Sequence, residues 1–315
     1  MDYKKPQSTL VQGGVGLYPL TTADQVILAD GSRLEKDGRI SADSAANSEK
    51  LGGKSPEYYI QPKNLLDNSD FRNPVNQRGQ TDYTNNGYTI DRWEIYSGAI
   101  GVTSLGYITT SGQMYQKIAI PTDKVYTFAI ENDAGIAVVT GIPANGISSA
   151  TLDNALIKLA TIGGYVEVVI EPSEGHNLAG AYWAALYEGS YTADTLPPYV
   201  PKGYAAELAE CQRYFWKCDN SFFSEGCGYA FSPTECRFMI STPQTMRISP
   251  SIIADNNNTT SYGIKLIINS TVLRPTSVSV RRANNRLCLT LLGKFTVNAV
   301  GVMRIESQLS FSADL

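Results

Sequence analysis

Few residues in this chain carry reactive groups. There is one histidine, His176, in the turn-like Ser173-Glu174-Gly175-His176-Asn177. A histidine-built metal cluster is therefore excluded, and any Ser-His-Asp triad would have to centre on that residue. All 5 cysteines (Cys211, Cys218, Cys227, Cys236 and Cys288) lie in the last third of the chain, with no CxxC spacing and an odd count. They read as buried free thiols of a reducing compartment, and no metal site is expected. Asp133, Glu167, Glu171, Glu174 and Glu188 are acids available for hydrolysis. Cleaving a glycosidic bond needs two of them across a cleft, about 5 to 9.5 Å apart, and no spacing singles out such a pair. Glu167 and Glu171 sit in or beside an apolar strand, so the solvent face is expected for both. Asp91 and Arg92, read on a strand, point to opposite faces. Asp91 is either a hydroxyl or ion ligand or a structural carboxylate bonded to loop backbone.

Aromatic and amide side chains, by contrast, are abundant, with 19 Tyr and 3 Trp. Flat rings offer faces to sugar C–H groups, and amides fork onto paired hydroxyls. The central part supplies Trp93, Tyr96, Tyr107, Tyr115, Trp183, Tyr187 and Tyr191, with Asn85, Asn86, Gln113 and Asn132 nearby. Large aromatics also build cores, and Ile90, Trp93 and Ile95 together read as a packed strand. The tyrosines suit a rim or a chain–chain interface equally well. Further along lie Tyr229, Phe231, Phe238 and Tyr262, with Arg237, Arg247 and Arg274. Arg281, Arg282 and Arg286 around Asn284-Asn285 form either a positive loop for anionic wall polymers or a solvated hairpin turn. The candidate ligand-binding set is Trp93, Tyr96, Tyr115, Trp183, Tyr187, Tyr229 and Arg282. No cofactor is expected.

The elements that must position these groups read as mainly β. With 315 residues and 43% hydrophobic content, the chain can bury a sizeable core. Its net charge of -4 and 18% charged residues argue against nucleic acid as a partner. No apolar run approaches the roughly 18 residues of a membrane span, and Met1 to Leu10 lacks the apolar centre of a signal peptide. Synthesis in a cytoplasm without membrane insertion is the expectation. Residues 1–62 look unlike a globular domain: a short apolar run closes on Asp30-Gly31, and a thin stripe of Ala42, Ala45, Ala46 and Leu51 follows, too narrow to be stable alone. They read as an attachment and stalk segment, or as a linker. Residues 63–205 hold Val125–Ile130, Ile136–Thr140 and Gly164–Ile170 as strands, with turns at regular intervals, the pattern of a β-sandwich with a jelly roll as its expected form. Thr151–Ala160 fits a helix or a strand equally. Residues 204–215 read as a helix with Leu208, Cys211 and Phe215 on one face, leading residues 206–315 into a distal β domain.

Two separated stretches resemble a known module. Asn64-Leu65-Leu66-Asp67-Asn68-Ser69-Asp70-Phe71, continuing to Arg78-Gly79, and Tyr88-Thr89-Ile90-Asp91-Arg92-Trp93 are similar to the opening of a module of bacteriophage and prophage tail-fibre proteins. Pro198-Tyr199-Val200-Pro201-Lys202-Gly203-Tyr204, running into Glu207–Phe215, resembles its close. Leu51-Gly52-Gly53-Lys54 with Tyr58-Tyr59, and Pro243–Pro250, resemble fibre proteins more loosely. Lys202-Gly203 departs from the Arg-Ser common there. Arg72 stands where related modules carry an acidic calcium ligand. The resemblance implies a carbohydrate-binding-like jelly roll in a homotrimeric receptor-binding protein at the phage tail tip, made in the bacterial host cytoplasm and carried on the virion. Its implied partners are host cell-surface polysaccharide and baseplate or tail proteins, and the binding is non-enzymatic. A structural baseplate or collar component is the main alternative. A fibre-borne glycan depolymerase is a second, although no repeat period of the kind seen in long β-helices is visible.

Overall fold

A computed structural model describes residues 10–12, 15–17, 25–27, 33–35, 62–173, 178–218, 223–254, 264–268, 271–284, 286–296, 299–305 and 309–314. The chain divides into two compact units, Met1–Pro62 and Lys63–Leu315. In the first, Leu10–Gln12 pairs antiparallel with Val15–Leu17, and Gln25–Ile27 pairs antiparallel with Arg33–Glu35. The expected stripe at 40–51, with Leu51–Tyr59 after it, lies outside the described residues.

The second unit is mainly β, in antiparallel sheets with two separate cores. Its first part is a sandwich. One layer is a six-stranded sheet in the order Ser148–Leu152, Ala155–Ile162, Tyr165–Pro172, Met114–Ile118, Glu94–Ile95, Gly87–Tyr88. Facing it are a three-stranded sheet (Gly135–Gly141, Tyr126–Asn132, Trp183–Glu188) and a four-stranded sheet (Leu178–Ala181, Ile108–Thr110, Ile100–Val102, Asp82–Tyr83). Val166, Val168 and Ile170 from one layer meet Phe128, Ile130 and Leu186 from the other in one apolar cluster. Alternate residues of each strand reach that core, as a pleated strand requires. Thr151–Ala160 resolves as two strands of a hairpin turning at Asp153, whose φ is 49°. The Ser97-Gly98 and Ser111-Gly112 turns lie back to back, and a Cβ on Gly112 would come within 1.8 Å of the Ser97 carbonyl oxygen. Only glycine fits there.

The second part has a three-stranded sheet (Phe215–Cys218, Leu309–Ser312, Ser251–Ala254) and a seven-stranded sheet whose neighbours include Phe223–Ser232, Glu235–Ser241 and Arg286–Leu292. In Glu235–Ser241, Cys236, Phe238 and Ile240 are buried while Arg237, Met239 and Ser241 are exposed. Cys211, Cys218, Cys236 and Cys288 are free and buried. No helix among the described residues is long and apolar enough to cross a membrane.

The helix is shorter than its sequence pattern predicts. It spans Tyr204–Cys211 and buries Glu207 and Cys211; Leu208 is only half-buried, and Phe215 already belongs to the next strand. Strand pairing of Phe215 with Ser312 claims the backbone that a longer helix would have needed. Glu207 is buried because its carboxylate accepts the Asn68 amide proton at 2.7 Å.

Asn68 is the centre of this join. Its side chain accepts from Val75 N (2.7 Å) and donates to the carbonyls of Val75 and Asp91 (2.8 Å each), and its own carbonyl accepts from Trp93 Nε1 at 2.9 Å. Its φ is 52°, a region that asparagine tolerates better than alanine. Replacing Asn68 with Ala strips three side-chain bonds from buried partners at about 1–3 kcal/mol each. We expect Asn68→Ala to lower unfolding stability by at least about 3 kcal/mol in urea titrations. A loss below about 1 kcal/mol would show that the join does not hold the fold.

Candidate functional site

The segment after Asn68 builds one wall of a cleft. Asp91 and Arg92 occupy a tight turn, not the strand expected for them, and Arg92 has a φ of 72°. Both are buried, so neither points to a solvent face. Asp91 accepts from Gln77 N (3.2 Å), Gln77 Nε2 (3.0 Å) and Arg78 Nη1 (3.0 Å), the arrangement of a structural carboxylate. Burial pushes its carboxyl up to about 6, against the lowering effect of Arg78 and Gln77. Arg78 also reaches Asp314 Oδ2 at 3.1 Å and lies 3.8 Å over the Phe215 ring. Arg92 donates to Asp67 (3.0 Å) and the Lys117 carbonyl (3.0 Å), with its guanidinium 3.6 Å from the Tyr214 ring centre. Gln77 Nε2 donates to the Phe215 carbonyl at 2.8 Å. Through these contacts the sandwich grips the start and the last strand of the distal part.

Where they meet there is a cleft of about 310 Å³. That is at the lower end of the roughly 300–1,000 Å³ typical of small-ligand sites. Gln80, Thr84, Asn85 and Asn86 form its exposed rim on the sandwich side, above Tyr83 and Tyr88. Lys217, Ile253 and Ser310 line the distal side. Burial raises Tyr83 to about 12 and pushes Tyr88 up as well, so both phenols remain protonated, the first donating to Asn76 and the second to Glu94. No carboxylate is among the described residues lining the cleft.

The residues singled out from sequence are dispersed. Trp93 is fully buried and packs edge-on against Phe71 at 5.3 Å, so it offers no ring face outward. Trp183 is buried and stacks on Tyr199 at 4.6 Å; Tyr187 is buried beside Tyr191. These side chains, with Ala129 and Ala185, make a small satellite core. Tyr96 and Tyr115 do come together, stacked at 3.7 Å on the outer face of the six-stranded sheet. Tyr115 is buried beneath, whereas Tyr96 stays 36% exposed. Their hydroxyls donate to Glu167 (3.0 Å) and Glu94 (2.7 Å). Glu167 is therefore buried under Tyr96, and Glu171 under its ion pair with Lys158, rather than facing solvent. Tyr229 is exposed on the seven-stranded sheet. Arg282 ties its guanidinium to the carbonyls of Met246 (2.9 Å) and Arg247 (2.6 Å), which makes it a strut for the Pro243–Pro250 segment. Arg281 and Arg286 are exposed. Phe238 is core. Asn132 is buried and caps the turn at Ala134. Arg72 is exposed and paired with Asp70. His176, Glu174, Tyr262 and Asn285 lie outside the described residues.

Sequence reasoning named Asn85 and Asn86 but missed Gln80, Tyr83 and Lys217. The Asn85-Asn86-Gly87 turn was the one local signal, because polar side chains at a turn tip project from the sheet. The chain matches no family model, no curated protein and no solved structure.

The sign of the Asp91 effect follows from its raised value. The folded chain holds this proton more tightly than the unfolded chain does between about pH 4 and 6, so the associated stability is present at low pH and is lost as pH rises through about 6. Asp91→Asn should remove that part of the pH dependence, read as urea midpoints across this range. A carbon-detected NMR titration should place the Asp91 carboxyl near 6, well above an ordinary aspartate.

Proposed function

We propose that this chain is a non-catalytic, glycan-binding receptor-binding protein of the tail-fibre type, with the cleft between the sandwich and the distal sheets as its saccharide site. The observation that carries this reading is the chemistry of that cleft. Exposed carboxamides at Asn85 and Asn86 fork onto vicinal hydroxyls, and the rings of Tyr83 and Tyr88, whose hydroxyl protons are held by Asn76 and Glu94, give an apolar floor. The absence of acids among the described lining residues favours binding over hydrolysis, which needs a carboxylate pair. Four of the five acids considered for catalysis are otherwise engaged, Glu167 with Tyr96, Glu171 with Lys158, Asp133 with Tyr182 and Glu188 with Lys124, and Glu174 lies outside the described residues.

In this reading the protein sits at a phage tail tip as a homotrimer, held to baseplate or tail proteins through residues 1–62, and its jelly roll and distal part face host polysaccharide together. The resemblance of the opening and closing segments supports that placement. A single site of this size binds sugar weakly, at about millimolar strength. Linked copies raise the effective affinity by about 10² or more, which suits a surface search by contacts that release and re-form.

The test is binding of the labelled full chain to intact bacteria and to a glycan array. Joint replacement of Asn85 and Asn86 by Ala should weaken binding about tenfold or more with an unchanged unfolding midpoint, because both side chains are exposed. Loss of binding with Tyr96→Ala instead would move the site to the sheet face. Recovery with tail proteins and no affinity for cells or glycans would replace this reading with a structural one.

A further inference from the structure

We propose that the saccharide taken by the cleft carries an anionic substituent, and that Lys217 recognises its charge; this rests on the glycan-binding reading above. The chain as a whole has a net charge of -4, yet the described walls of the cleft hold two cations, Arg78 and Lys217, and no acid.

The two cations are not equivalent. Arg78 is already engaged from behind the wall by two carboxyl groups, those of Asp91 and Asp314, whose side chains are 1% and 4% exposed. It is fixed in place against Phe215 and braces the wall. Lys217 makes no ion pair among the described residues. Among the described residues its ammonium makes one hydrogen bond, to the Arg78 carbonyl at 3.5 Å, longer than usual for such a bond. An ammonium carries three donors, so it has capacity left for a ligand. Lys217 is half-buried, which reduces competition from water and strengthens a charge-assisted bond. The protonated phenols of Tyr83 and Tyr88 add no negative charge of their own.

A neutral sugar would use Asn85 and Asn86 and leave this ammonium unmatched. A ring bearing a carboxylate or a phosphate ester would use all three. Both anions make the same demand on a compact cationic donor, so the shared chemistry is the charged substituent and not its parent polymer.

The full chain is titrated by calorimetry and saturation-transfer NMR with methyl β-glucuronide, glucose 1-phosphate and neutral methyl β-glucoside. We expect the charged probes to bind about three- to tenfold more tightly than the neutral one. That advantage should shrink between about 20 mM and 300 mM salt. Lys217→Gln should abolish it while leaving affinity for methyl β-glucoside intact, which also shows that the variant is folded. The tighter of the two charged probes identifies the source of the anion. Equal affinity for charged and neutral probes, or an advantage that survives in Lys217→Gln, overturns the anionic assignment and leaves the glycan reading standing. If neither these saccharides nor those of the cell and array assay bind, both are overturned.

Discussion

Arg78 is the cation on which the second unit depends. One of its nitrogens holds Asp91 in the sandwich and another holds Asp314 beyond the last described strand, while its plane covers Phe215 at the start of the distal part. A guanidinium can do this because it is planar, permanently charged and forked. Its partners bear the cost. Burial raises the carboxyl values of Asp91, Asp314 and Glu207 alike, and the opposing cations offset that only in part. Taking these charges out of water offsets much of their mutual attraction, whereas removing one member leaves the rest charged and unmatched in a low-dielectric setting, which is strongly destabilising.

The same join draws its side chains from short segments far apart in the chain. Asn68, Gln77, Arg78, Asp91 and Arg92 come from the opening segments, and Lys202, Glu207, Glu210, Tyr214 and Phe215 from the closing one. They meet face to face: Lys202 Nζ donates to the Leu66 carbonyl at 2.9 Å and to Glu210 at 2.6 Å, and Asn68 N to Glu207. Side chains with this many specific partners tolerate few replacements. The strands between them need only alternate apolar and polar, a much looser demand.

That division sets what could be read from the amino acids. The strands at Val125–Ile130, Ile136–Thr140 and Gly164–Ile170 were legible from their β-branched and aromatic content, and the sandwich followed from the number of such strands and their turn spacing. The end of the helix was not, because a distant strand, Leu309–Ser312, outcompetes continued helix at Phe215. Arg92 was misplaced on a strand because its left-handed backbone is paid for by tertiary bonds that no local pattern records. Glu167 and Glu171 do lie on the outer face, opposite Val166, Val168 and Ile170, but their burial was not legible because Tyr96 and Lys158, remote in sequence, cover them. Of the aromatic candidates, the tryptophans proved to be packing elements. The cleft itself was illegible, since its walls come from residues around 80, 217, 253 and 310, which only the folded topology brings together.

The strand Leu309–Ser312 lies at the centre of its sheet, between Phe215–Cys218 and Ser251–Ala254, and the amide of Ala313 donates to the Tyr214 carbonyl at 2.6 Å. During translation the sandwich has every one of its own strands well before this piece emerges from the ribosome. The distal wall of the cleft does not, because Phe215–Cys218 has no neighbour to lie against until residues beyond 308 arrive. Chains cut short before residue 309 therefore carry every strand of the sandwich and lack the partner of Phe215–Cys218. Synthesis acquires a built-in order: every strand of the frame is made first, and the strand that supports the distal wall of the cleft follows well after them.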